Sequence, residues 1–370
     1  MEILIIGNGF DLAHNLPTQY ADFLHVCDLV KTVGVNLSWG SRFPMPGVAD
    51  QSDQELLCYF VSKIGKNRYL EFEELVRHNF WIDYFQEEKE YIGEKWLDFE
   101  EAIKEVIVQL SLIKTLTKNE VTALTERKIK QIYNLLNGYP ELKGDSGPNG
   151  LIYNLFEQHK RMVRAFEIYI DGYVNKTECS RNQLFEKKYD HVLSFNYSDT
   201  YKNLYDSAAD CCFIHGKADV NRNTSESNIV LGIESAFEDH DNVGKEVLPF
   251  EKYVQRIVKR TDSSYLEWLD VAFDGECNVH IFGHSFGSSD ADVLKYFIDN
   301  ENERVKQVVK TYIYCRDDED RAEKIINLAV ILGRDKLVKM TSGRRQSIRF
   351  IVPDKGNMEE MDDGSGIKDT

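Results

Sequence analysis

Ile3-Leu4-Ile5-Ile6-Gly7-Asn8-Gly9-Phe10-Asp11, at the start of the chain, is the stretch whose reading decides the fold. A parallel strand covered by helices on both faces is apolar throughout, as residues 3–6 are, rather than alternating. Glycines at positions 7 and 9 have no Cβ, so backbone amides just past the strand can approach a pyrophosphate. The third glycine of a dinucleotide fingerprint is replaced by Leu12. By itself the pattern fits a nucleotide site and a tight strand-to-helix turn equally.

Outward from this turn, Pro17 to Val30 reads as the first helix, with Thr18 as its cap and Tyr20, Phe23, Leu24 and Cys27 at helical spacing. From about Leu56 to Tyr173 the pattern stays helical, without a strand suited to a parallel sheet. Phe72, Leu75, Val76 and Phe80 form one apolar stripe, and Trp96, Phe99, Ile103, Val106, Ile107 and Leu110 another. The stretches Gly34–Gly47 and Gly138–Gly150 read as loops. Strand and helix alternate again from about Tyr189. His191–Phe195 ends at Asn196, Cys211–Ile214 at His215-Gly216, Ile229–Leu231 at Gly232, Val279–Phe282 at Gly283, and Thr311–Tyr314 just before Arg316.

An open parallel sheet gathers its strand C-termini around a ligand crevice, so Gly7, Asn196, His215, Gly232 and Gly283 are expected along one edge. The expected fold is α/β, a Rossmann-like parallel sheet with a large α-helical insertion. Residues 1–50 supply the first strand, turn and helix; 51–185 the insertion; 186–352 the rest of the α/β domain; and 353–370 an acidic, disordered tail.

With 370 residues, 42% of them hydrophobic, the chain can bury a sizeable core. A net charge of −17 argues against an extensive nucleic-acid surface, which needs clustered Lys and Arg. No apolar run approaches the roughly 20 residues of a membrane span, and the N-terminus does not read as a leader, so a cytoplasmic protein without membrane contact is expected. Seven irregularly spaced cysteines, without a Cys-x-x-Cys pair, fit reduced thiols and exclude a zinc ribbon. His14 and Asp11 are three apart but have no further clustered ligand, so no metal is expected.

Gly283-His284-Ser285-Phe286-Gly287 has the nucleophile-elbow pattern of serine hydrolases. Those enzymes order their triad Ser, acid, His, and no histidine follows His284 in this chain. A tight turn touching a ligand explains these residues better, with Ser288 or Ser289 capping the helix through Phe297. Asp98, Glu100 and Glu101 read first as the solvated face of an amphipathic helix, with covering of the crevice as the alternative.

Taken together and in order, several segments resemble the AbiH family of bacterial phage abortive-infection proteins. They are Gly7–Leu12, Leu16–Phe23, Trp96–Glu100, Leu193–Asp199, Ile214–Gly216 and Phe282–Gly287 with Asp290. The same order also resembles a distant sirtuin-like NAD fold. That resemblance implies that Gly7 and Gly9, with Asn8, Phe10 and Asp11, form the cofactor turn. It also implies that Gly283, Ser285 and Asp290 meet the rest of the nucleotide, and that Asn196 and His215 are the chemical pair. Asp199 follows Asn196 by three positions where the sirtuin acid follows by two, and the zinc cysteines of deacylases are absent, so bare NAD cleavage is favoured over deacylation.

Breaking a nicotinamide–ribose bond develops an oxocarbenium-like sugar, so the site must hold the ribose, place a water and offer negative charge. Asn196 suits orientation, His215 suits a base near neutral pH, and Asp11 or Asp199 suits the negative field. The expected activity is hydrolysis of NAD or a related nucleotide during infection. A phage-derived trigger and a homo-oligomer are both compatible with it. Two rivals stay open: a nucleotide-gated sensor without turnover, and a metal-dependent nuclease or phosphohydrolase using Asp11, Asp98 or Glu100.

Overall fold

Residues 3–6 lie at the centre of a parallel sheet because both sets of their side chains find an apolar partner layer. The structure is a computed structural model and describes residues 1–33, 50–92, 98–113, 126–143, 147–234, 245–268, 276–299, 309–343 and 346–352. Strands β1 (Glu2–Ile6), β2 (His191–Ser194), β3 (Cys211–Phe213), β4 (Cys277–Phe282), β5 (Val309–Tyr314) and β6 (Ile348–Ile351) form one six-stranded sheet in the order β3-β2-β1-β4-β5-β6. Every pairing is parallel. Ile3 and Ile5 of β1 face one apolar cluster with Val279, Ile281 and Leu294, while Leu4 and Ile6 face another with Phe10, Phe185 and Tyr201. The fold is therefore α/β.

Between β1 and β2 the chain passes through α1 (Asn8–Ala13), α2 (Tyr20–Val33), α3 (Gln51–Val76), α4 (Phe80–Ile92), α5 (Phe99–Ile113), α6 (Arg127–Asn137) and α7 (Gly147–Gly172). Helices α2–α7 share a core of their own, rich in aromatics: Phe23, Phe60, Phe72, Trp81, Phe85 and Phe99. Helix α8 (Thr200–Leu204) joins β2 to β3. Helices α9 (Lys252–Lys259) and α10 (Tyr265–Trp268) precede β4, and α11 (Ala291–Ile298) follows it. Helices α12 (Asp318–Leu332) and α13 (Arg334–Thr341) lead from β5 to β6.

The structure corrects several expectations. Ile229–Leu231 is buried but does not pair in the sheet; its carbonyls accept from Lys259 Nζ, Tyr197 Oη and Gln255 Nε2. The sixth strand is Ile348–Ile351 at the far edge. Thr18 does not cap α2, which starts at Tyr20 with the Gln19 N–H donating to Asp22 Oδ2 at 3.0 Å, and Thr18 Oγ1 has no hydrogen-bond partner. Helix α11 starts at Ala291 with Asp290 before it and no side-chain cap. The Gly34–Gly47 loop, Trp96 and the 353–370 tail lie outside the described residues.

Candidate functional site

In the order β3-β2-β1-β4-β5-β6, chain connections run outward in opposite directions from β1 and β4, which leaves a crevice beyond their C-terminal ends. A cavity of about 640 Å³ occupies that position. Its floor is made by the strand ends: Gly7 after β1, Asn196 after β2, His215 after β3, and Gly283 to Asp290 after β4. The helical layer closes it from the other side with Tyr20, Glu100, Phe166 and Ile170, and Arg316, Asp320, Glu323 and Asn327 stand along another wall.

Four of the five expected strand ends thus meet at one edge, and Gly232 is the exception. It packs beneath the Phe250 carbonyl, which a Cβ would meet at 2.3 Å. Of the other sequence-derived site residues, Asn8, Gly9, Asp11, Ser285 and Asp290 line the crevice. Phe10 does not: its ring is fully buried on the opposite face of β1 against Phe185 and Phe282. Asp199 also lies outside the crevice, where its carboxylate pairs with Lys217 and its N–H donates to Asn175 Oδ1. His14 bridges the Phe10 carbonyl and the Tyr205 hydroxyl at 2.7 and 2.6 Å.

The glycine turn has a mechanical explanation. A Cβ on Gly9 would stand 2.6 Å from Gly283 Cα, and one on Gly7 2.8 Å from the Gly283 oxygen. Gly283 itself has φ +68°, and a Cβ there would sit 2.3 Å from the Phe10 nitrogen. Two strand-end turns approach backbone to backbone, which side chains at these positions would prevent. The Gly7 and Gly9 amides donate to the Phe282 and Gly283 carbonyls at 3.0 and 2.9 Å, and the Phe10 amide donates to the Gly7 carbonyl. These three amides are already occupied, so a pyrophosphate cradle of the expected kind does not form from them.

The charged side chains cluster around Asp290. His215 Nε2 lies 3.0 Å from Asp290 Oδ1, Lys252 Nζ 3.3 Å and Arg256 Nη2 3.6 Å; His284 Nε2 is 3.7 Å from Oδ2. Lys252 Nζ also reaches Glu100 Oε2 at 2.8 Å and donates to Ser289 Oγ at 2.9 Å. Lysine is rarely buried without a partner, and Lys252 at 3% exposure has two carboxylates. Burial would raise the Asp290 carboxyl, but the Lys252 ammonium and the His215 ring outweigh it and hold it well below the usual carboxylate range. Burial lowers the His215 ring to about 4, with Asp290 opposing, so the ring is neutral at pH 7. Neither His215 ring nitrogen makes a hydrogen bond of good geometry.

A second buried acid sits nearby. Asp11 Oδ2 accepts from Ser198 Oγ at 2.5 Å, while Oδ1 has no partner. Burial pushes this carboxyl up to about 6 against the hydrogen bonds of Ser198, Thr200 and Asn196. Asn196 Nδ2 donates to the Gly7 carbonyl at 3.0 Å, tying the end of β2 to the end of β1. His284 Nδ1 accepts from the Phe286 N–H at 2.9 Å, which places the neutral ring's proton on Nε2 and leaves it no role as base for Ser285. The positive-φ residues of this turn are Gly283 and Phe286, not Ser285, so the turn is not a nucleophile elbow.

Sequence reasoning missed Lys252 and Arg256, which sit one helical turn apart on α9, a helix that no strand-end motif announces. It read Glu100 first as a solvated face, whereas its side chain is one-fifth exposed and faces Lys252. Among the described residues, no group of three or more His, Cys, Asp or Glu could hold a metal ion, and no helix is long and apolar enough to cross a membrane.

These features define an α/β protein with a ligand-sized crevice at the switch point of a parallel sheet, floored by a buried network of acid, base and ammonium groups. Residues 3–314 match the family model described as Bacteriophage abortive infection AbiH, and the chain belongs to that family. The family places it in abortive infection, a defence against phage. No curated protein and no solved structure matches the chain.

Proposed function

We propose that the protein acts in the cytoplasm as an abortive-infection effector that binds NAD or a related nucleotide in this crevice and hydrolyses its N-ribosyl bond. The observation that carries the reading is His215: neutral, 4% exposed, its Nε2 3.0 Å from the Asp290 carboxylate and its Nδ1 without a hydrogen-bond partner, on the floor of a cavity of about 640 Å³. That volume lies within the usual range for small-molecule sites. A neutral imidazole can take a proton from water, and a carboxylate held ionised can stabilise the positive charge that grows on the sugar. The crevice position, at the point where strand order reverses, is where parallel sheets of this order bind dinucleotides, which adds support. Because the Gly7, Gly9 and Phe10 amides are occupied, the phosphates in this reading lie toward Arg316, whose side chain is 80% exposed.

Purified protein mixed with NAD and, separately, with adenine nucleotides tests the reading, by chromatography of released base and by the melting temperature in the same samples. Base release that disappears in His215→Ala and Asp290→Asn supports hydrolysis at this site. A raised melting temperature without release favours a nucleotide sensor. The absence of both signals, with every nucleotide tried, contradicts the proposal.

A further inference from the structure

Glu100 and Asp290 compete for one ammonium. Lys252 Nζ stands 2.8 Å from the first carboxylate and 3.3 Å from the second. A shared ammonium only partly compensates each of two carboxylates, so the better-partnered acid ionises first and the other holds its proton to higher pH. Asp290 has His215, Arg256 and His284 within 3.0 to 3.7 Å besides the lysine. Among the described residues, Lys252 is the single charged side chain paired with Glu100. The asymmetry is built into position: Asp290 follows β4 at the sheet edge, whereas Glu100 reaches the same lysine from α5 in the helical layer. Burial raises the Glu100 carboxyl above its ordinary value, and the Lys252 ammonium offsets this only in part.

Two carboxyl groups of opposite protonation facing one cavity are the arrangement that breaks glycosidic bonds. One gives its proton to the leaving group, and the other stays anionic beside the developing cation. Resting on the N-ribosyl reading above, we infer that Glu100 is the proton donor to the departing base, and that the base is one that needs a proton, a purine of a nucleotide rather than a pyridinium.

The step balances with water as the one co-reactant. The C1′–N9 bond breaks, its electron pair goes to the purine, and the purine takes the Glu100 proton on a ring nitrogen. The oxygen of water bonds to C1′ and its proton goes to neutral His215, which returns it to the Glu100 carboxylate through solvent. Asp290 remains ionised throughout. A pyridinium, by contrast, leaves as a neutral base without taking a proton, so Glu100 does nothing for its departure.

The test compares adenine release from ATP with nicotinamide release from NAD, for the purified full chain and for Glu100→Gln and Glu100→Asp, across the neutral pH range. Adenine release is expected to fall as pH rises past neutrality, because the donor must hold its proton. In Glu100→Gln it is expected to drop roughly 10²–10⁴-fold, at least about tenfold more than nicotinamide release in the same protein, with partial recovery in Glu100→Asp. The ratio within one protein separates loss of the donor from loss of the fold. Equal losses of both products, or indifference of both to the substitution, overturn the donor role and leave the N-ribosyl reading standing. If the unsubstituted protein frees no base from either nucleotide, purified or in extracts of infected cells, the N-ribosyl reading itself falls.

Discussion

Two of the molecule's ion clusters, one inside the helical layer and one at the sheet edge, are finished differently. In the helical layer Arg164 is fully buried, yet its guanidinium is satisfied. It meets Glu71 at 2.9 Å and Glu167 at 2.8 Å, and donates to the carbonyls of Asp219 and Val220 at 3.2 and 2.9 Å. Glu167 and Asp171 in turn accept from the backbone amides of Asp219 and Val220, so α7 is clamped to the segment after β3. At the sheet edge the cluster around Asp290 is less deeply buried, neither His215 nitrogen makes a hydrogen bond of good geometry, Oδ1 of nearby Asp11 has no partner, and the group faces a cavity. A buried polar network normally completes its hydrogen bonds, because an orphaned group costs about 1–3 kcal/mol. The complete cluster is a structural clamp, and the incomplete one is where the proposed ligand would supply the rest.

Breaking the clamp should have the largest effect on stability. Arg164→Met leaves buried Glu167 with only the more distant Arg222 at 3.8 Å and is expected to lose about 3–5 kcal/mol in urea denaturation. A loss below about 1 kcal/mol, the level of a surface pair, would erase the contrast between the two clusters.

The open cluster should respond in the opposite sense. Asp11 has a folded-state affinity for its proton near pH 6 against an ordinary 3.8, so the folded chain binds the proton more tightly and stability falls as pH rises through that window. His215 is depressed from 6.5 to about 4, so its contribution is complete above 6.5 and is lost as pH falls through 4. The two slopes oppose each other over the same range. Asp11→Asn is therefore expected to stabilise the protein at neutral pH by as much as about 3 kcal/mol and to expose a steeper loss on acidification. Melting temperatures measured against pH decide it, and an unchanged profile would mean that Asp11 is solvated rather than orphaned.

A smaller effect is expected at the turn that joins the two halves of the crevice. Gly9→Ala presses a Cβ against Gly283 Cα and should cost about 1–3 kcal/mol with no ligand present. Lost nucleotide binding with an unchanged melting temperature would instead return this glycine to the role of a phosphate cradle.

The sheet was readable where apolar runs carry their own evidence. Ile3–Ile6, Val192–Leu193 and Val279–Phe282 are buried central strands, and their sequence looks like little else. Ile229–Leu231 has the same look for a different reason: it is buried, but side chains from α9 and Tyr197 satisfy its carbonyls in place of a neighbouring strand. Ile348–Ile351 was passed over because it is an edge strand, with Ile348 buried and Arg349 exposed. The same logic divides the site. Asn196, His215 and Gly283 were legible because strand ends in a parallel sheet converge, and Asp290 through the family resemblance. Lys252 was not, and Glu100 only as a second reading, because they come from helices distant in sequence, and only the packing of the helical layer over the sheet edge brings their charges together.

The central claim is that the unfinished cluster at the sheet edge is the seat of the defensive activity, and phage challenge of cells carrying His215→Gln or Asp290→Asn tests it most directly. The melting transition and soluble amount of each protein are measured alongside. Protection lost in both variants, with the folded protein still present, is the predicted result. Protection equal to that of the unsubstituted protein would contradict the assignment and move the search away from this crevice.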